Sequence, residues 1–228
     1  MQALVVKAKP FLAFEEGDEF ACTTVAIVDD MTQVVKRRHA IELAQWFLQE
    51  APKYGIVLNM SKWQVYLPVH STEAGLEGIE LAEDLRSMGA NVSADGLRRL
   101  LGAPIGTVDF CVQDGGHIDT VTTEAVALVQ SISRLHTSQA QYGMLLYSAS
   151  QKMTHLARLV QPNLLSGFAV RLTTALHEGV RTLLTLSNLT TVQRAMISLP
   201  VREGGLGLVS ANEVMLPAFV ASHGATVR

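Results

Sequence analysis

A change of apolar rhythm at Asp114-Gly115-Gly116 limits what this chain can fold into more than any other feature. Downstream of it, residues 120–135, 138–148, 151–160, 163–186 and 191–199 all repeat their apolar positions at the helical period, as helices packed by one face do. A last helix is expected to start at Ser210, where Ser210-Ala211-Asn212-Glu213 forms a capping box whose hydroxyl and carboxylate can satisfy each other's end amides. Upstream, short β-rich runs alternate with single helices. The expected class is therefore α+β, with a sheet-and-helix domain over residues 1–113 and a mainly helical one over 114–228.

Residues 20–28 are a β-rich run centred on Thr23, Thr24 and Val25, stopping at Asp29-Asp30, with a return strand at 32–35. Over 38–49 the apolar residues Ala40, Leu43, Ala44, Phe47 and Leu48 share one helical face, and Pro52 and Gly55 end the helix. Residues 56–58 and 63–67 are expected to pair across the polar connection Asn59-Met60-Ser61-Lys62. A helix over 76–88 closes at Gly89, and strands are expected at 97–101 and 108–112, separated by bends at Gly102, Pro104 and Gly106. His117 and Asp119, beside the Gly-Gly turn, read as loop residues.

At 228 residues and 48% hydrophobic, with a mean hydropathy of +0.24, the chain can bury a core, which excludes disorder for most of its length. Eighteen basic against 21 acidic residues leave a charge of -3 and a pI near 6.2, which excludes the general positive field of a stand-alone nucleic-acid binder. Phosphate contact then needs a local cluster. Lys36, Arg37 and Arg38, followed by His39, are the candidate, as phosphate ligands or a nuclear address, with a solvated helix start as the plainer reading.

The two cysteines, Cys22 and Cys111, lie far apart in segments that read as buried strands and fit free thiols in a reducing compartment. No stretch reads as a signal peptide, and none approaches the ~20 apolar residues of a membrane span. The expected setting is intracellular, cytoplasm or nucleus, without a membrane. His177-Glu178-Gly179-Val180-Arg181 has no second histidine at i+4 and is no zinc helix. Gly204-Gly205-Leu206-Gly207 lacks the Lys-Ser/Thr of a phosphate loop, and its glycines are expected to allow tight backbone packing. Trp46 and Trp63 read as core residues.

Chemistry points to Asp29 and Asp30. Adjacent carboxylates at a turn between strands repel one another unless a cation sits between them, and Mg²⁺ suits carboxylate oxygen and the two-metal route of phosphoryl transfer. Taken alone, such a pair is also what a solvated hairpin turn carries.

Four segments supply context. Val25-Ala26-Ile27-Val28-Asp29-Asp30 resembles the aromatic-x-Asp-Asp hairpin of reverse transcriptases. Gly55-Ile56-Val57-Leu58-Asn59-Met60-Ser61-Lys62 is similar to the element that follows that hairpin after one helix in non-LTR retrotransposons. Leu100-Leu101-Gly102-Ala103-Pro104-Ile105-Gly106 resembles the stretch beside the primer grip. Leu199-Pro200-Val201-Arg202-Glu203-Gly204-Gly205-Leu206-Gly207-Leu208 is similar to the segment that closes the region in many retroelement polymerases. All four occur in the family's order, and the resemblance spans residues 20 to 222.

The resemblance implies the distal half of a polymerase palm followed by a thumb-like helical region, and an ancestral RNA-directed DNA polymerase working on an RNA template and a DNA primer. It gives Asp29 the role of direct Mg²⁺ ligand, Asp30 a secondary one, and Lys62 a place near the incoming nucleotide's phosphates. Leu101, Gly102, Pro104 and Gly106 would support the primer end. Two departures bear on activity. Ile27 stands where the family carries Tyr or Phe, and the family's first metal-binding aspartate lies on an earlier strand, whereas 28 residues precede Asp29. The two-metal site is thus incomplete, and the isolated chain is expected to be an inactive, truncated copy, or to need a missing upstream polymerase half. The alternative is a nucleic-acid-binding or protein-interaction module without chemistry.

Overall fold

The β-branched run Thr23–Ile27 forms strand β1 and pairs antiparallel with β2, Asp30–Val34, from Thr23↔Val34 to Ile27↔Asp30. The computed structural model describes residues 23–27, 30–68, 75–100 and 102–226, and Cα packing divides the chain into units Met1–Ala94 and Asp95–Arg228. Residue 114, the expected start of the helical domain, lies inside the second unit. The architecture is a mixture of helix and small sheets, in keeping with the coarse α+β class.

In the first unit a 3₁₀ turn, Arg37–His39, leads into α1, Ala40–Glu50. The expected apolar stripe is buried: Leu43 and Phe47 pack with Ala51, Val35, Ile56 and Leu58, while Ala44 packs with Leu85 and Ala90. Trp46 meets Phe47 edge to face at 4.9 Å between ring centroids, and Trp63 lies against the Leu85 cluster, so both tryptophans serve packing. Gly55 closes this stretch at a φ of 70°, a left-handed conformation that favours glycine.

The expected hairpin at 56–58 and 63–67 does not form. Ile56 and Leu58 turn into the Phe47 cluster, Val57 is 94% exposed, and Met60–Lys62 is a 3₁₀ turn. Strand β3, Gln64–Tyr66, pairs instead with β4, Asn91–Ser93, in parallel. Parallel neighbours need a crossover, and α2, Gly75–Ser87, provides it. Asn-Val-Ser has too little apolar pattern to announce a strand, so its pairing comes from packing around Leu85 and Val92.

The second unit begins with an antiparallel pair, β5, Gly96–Leu100, and β6, Ala103–Gly106, with an irregularity in register between Leu97 and Leu100. Gly96 and Gly106 face one another, and a Cβ on either would run into the partner's backbone. The strand expected at 108–112 is a short helix, α3, Val108–Val112. Its alternating Val108, Phe110 and Val112 imitate a strand, but Thr107 caps it by accepting the Phe110 N–H at 3.3 Å. Cys111, expected on a strand, is buried on this helix, and burial pushes its thiol pKa up.

Helices follow as α4, His117–Ile132; α5, Ser138–Met144, running into a π turn at Leu145–Ala149; α6, Thr154–Leu159; α7, Pro162–Leu183; α8, Thr191–Ser198; and α9, Ala211–Thr226. Ile118, Ala125 and Val129 of α4 share one core with Leu165, Leu172, Leu176 and Val180 of α7. His117 and Asp119 belong to the first turn of α4 rather than to a loop. Asp119 takes hydrogen bonds from Arg171 of α7 and from the Gly115 N–H, and Arg171 also donates to Thr123.

A reciprocal capping box starts α8 at Thr190 and Gln193. At Ser210 the hydroxyl accepts the Asn212 N–H at 3.3 Å and bonds the Thr173 hydroxyl at 3.2 Å. Between them, residues 204–208 run back along α8: Leu206, Gly207 and Leu208 donate to the carbonyls of Met196, Leu199 and Ile197. Gly205 presses on Leu199, which is the tight packing its lack of a side chain permits.

Leu172→Ala removes a fully buried side chain and is expected to cost about 2–5 kcal/mol in urea unfolding, against less than about 0.5 kcal/mol for Val57→Ala at the surface. The Arg171 hydrogen bond, then that of Gly115, holds the Asp119 carboxyl below the ordinary aspartate range. A depressed folded pKa contributes stability above the unfolded value and loses it as pH falls through the folded one. The wild-type urea midpoint is therefore expected to fall more steeply than that of Asp119→Asn as pH drops below the ordinary aspartate range, and parallel curves would refute the tie.

Candidate functional site

The β1–β2 register sets the frame of the acidic hairpin. Asp30 opens β2 opposite Ile27, and the two residues that link them, Val28 and Asp29, lie outside the described residues. The donor type fits Mg²⁺, which takes carboxylate oxygens and retains water. Among the described residues no three His, Cys, Asp or Glu side chains gather as a metal site.

The basic run occupies the 3₁₀ turn before α1, with Arg37 and Arg38 exposed and Lys36 half-buried. Arg37 donates to the Pro68 carbonyl, Arg38 Nε lies 3.1 Å from His39 Nε2, and His39 is 3.8 Å from Glu42. Arg37 is thus engaged within its own unit, which lowers its value as a free phosphate ligand. Lys62 ends the Met60–Lys62 turn with its side chain exposed.

The remaining expected residues fall in the second unit. Leu101 lies outside the described residues. Gly102 is in the β5–β6 turn at a φ of 88°, Pro104 is buried in β6, and Gly106 ends that strand. The expected site is therefore divided between units: Asp29, Asp30, Lys36, Arg37, Arg38 and Lys62 in the first, and Leu101, Gly102, Pro104 and Gly106 in the second.

Two histidines come to the turn, His117 and a residue that no sequence motif marks, His155. His117 Nε2 is 2.9 Å from the Gly102 carbonyl oxygen, and a Cβ on Gly102 would sit 2.6 Å from His155 Nε2. No spacing rule links positions 102, 117 and 155, so only the fold reveals the group.

An open groove also runs between α4 and α7, with Val126, Val129 and Val170 on its walls and Arg134, Arg171 and Arg181 at its rim. Its charge is mostly spent, because Asp119 pairs with Arg171 and Glu178 with Arg181. On α7, burial lowers the His177 pKa, with Arg194 adding to the effect and Glu178 opposing it. Among the described residues no helix is long and apolar enough to cross a membrane.

Gly102→Ala would force an L side chain into positive φ against His155, and is expected to destabilise the chain by about 1–3 kcal/mol. Chemical unfolding checks this, and a neutral result would mean that the turn relaxes freely. Comparison with protein-family models, with curated proteins and with solved structures finds no significant match to the chain.

Proposed function

We propose that this chain is the distal palm and thumb-like region of a reverse transcriptase of the non-LTR retrotransposon type, taking part in RNA-templated DNA synthesis. The observation that carries the reading is the antiparallel β1–β2 pair, in which Asp30 heads the return strand and Asp29 belongs to the two-residue link. The family-like order of the four sequence segments supports it, as does the positive-φ turn at Gly102 within the primer-grip-like stretch.

In this reading Asp29 and Asp30 would hold Mg²⁺ through their carboxylate oxygens, and the metal would supply Lewis-acid chemistry for nucleotidyl transfer to a primer 3′ hydroxyl. Lys62 adds a cation on the phosphate side. A further carboxylate from an upstream palm segment completes the two-metal centre, so the chain alone is inactive. Ile27, at the aromatic position of the hairpin, favours a second reading: a binding module descended from the polymerase that has lost the chemistry.

Primer extension on an oligo(dT)-primed RNA template with Mg²⁺ tests the two. The chain alone is expected to extend nothing. Mixed with the upstream palm segment of a non-LTR reverse transcriptase, it is expected to extend the primer, and Asp29→Ala to abolish extension. No extension in the mixture, with salt-dependent duplex binding that survives Asp29→Ala, would select the second reading. No extension and no binding would overturn both.

A further inference from the structure

Two helices of its own unit bring histidines to the β5–β6 turn. His117, the first residue of α4, has its Nε2 2.9 Å from the Gly102 carbonyl oxygen. A carbonyl only accepts, so Nε2 carries the proton and donates, in the neutral ring as in the imidazolium. His155 of α6 lies beside the same residue, its Nε2 and Cδ2 2.6 and 2.9 Å from where a Cβ on Gly102 would be. Glycine is required at that point twice over, once by its φ of 88° and once by the ring beside it.

Both helices are themselves anchored. Ile118, next to His117, and Leu156, next to His155, are buried in the core of the second unit. The two imidazoles therefore transmit the position of a packed core to an otherwise short hairpin.

We propose that His117 and His155 are positioning residues that hold the Gly102 turn in a single geometry for contact with a primer end. What the turn meets rests on the reading under Proposed function; the grip itself does not.

Two measurements on the full chain separate the two claims. Amide exchange across residues 102–106 reports the grip, and equilibrium binding of an oligo(dT)-primed RNA reports its use. His117→Ala is expected to speed exchange in the turn and to weaken binding by about three- to tenfold, the loss of one hydrogen bond. The slope of log affinity on log salt is expected to stay the same, because no phosphate contact is removed. His117→Gln, which keeps an N–H donor on a long side chain, is expected to recover most of both effects. Ser131→Ala, on the same helix and away from the turn, is expected to change neither.

Unchanged exchange in His117→Ala would overturn the grip. Unchanged binding in a turn that has loosened would overturn its role toward the primer. A loosened turn in a chain that binds no primed RNA at all would uphold the grip and overturn the polymerase reading.

Discussion

Gly179 brings α7 so close to α4 and the π turn that a methyl group there would meet Val129 at 2.9 Å and Leu145 at 3.1 Å. Around that approach the apolar stripes of α4 and α7 close on each other, burying Ile118, Val129, Leu172 and Val180. Much else in the unit takes its place from this seam. The Asp119–Arg171 pair ties one end of it, and Thr122, buried within it, returns its hydroxyl to the Ile118 carbonyl at 2.8 Å. The direction of α4 in turn fixes where His117 stands, and so where the β5–β6 turn is held.

The helices were legible because burial imposes a rhythm on sequence. Leu165, Ala169, Leu172, Leu176 and Val180 recur three or four residues apart along α7, and each is buried. The strand pairing was not, because β4 is three residues long and its partner is reached only across α2. Proximity along the chain suggests residues 56–58 as the partner of β3, whereas Ile56 and Leu58 pack against the Phe47 cluster. At 108–112 a two-residue alternation suited a strand, and the cap at Thr107 decided for a helix. Local pattern fixes the rhythm of a segment but leaves its partner to tertiary packing.

The candidate site divides the same way. Residue type alone drew attention to Asp29-Asp30 and to the turn at Gly102, since carboxylate pairs and glycine bends carry chemical and steric meaning without context. The neighbours of those residues carried no such mark. Arg37 was picked out for its charge, whereas its guanidinium reaches the carbonyl of Pro68, on a part of the chain that no motif joins to it. His117 and His155 come to Gly102 from separate helices, so their meeting depends on how α4 and α6 settle into the core.

The run back along α8 changes how its glycine string is to be understood. By donating to the carbonyls of Met196, Ile197 and Leu199, residues 206–208 complete the end of a helix whose last acceptors would otherwise face solvent. The string is thus a terminator supplied from downstream: Gly205 clears the backbone of Leu199, while Gly204 and Gly207 take left-handed φ values of 83° and 65°. Such a segment answers to a need of the helix itself and holds its sequence for that reason, whatever chemistry the chain performs.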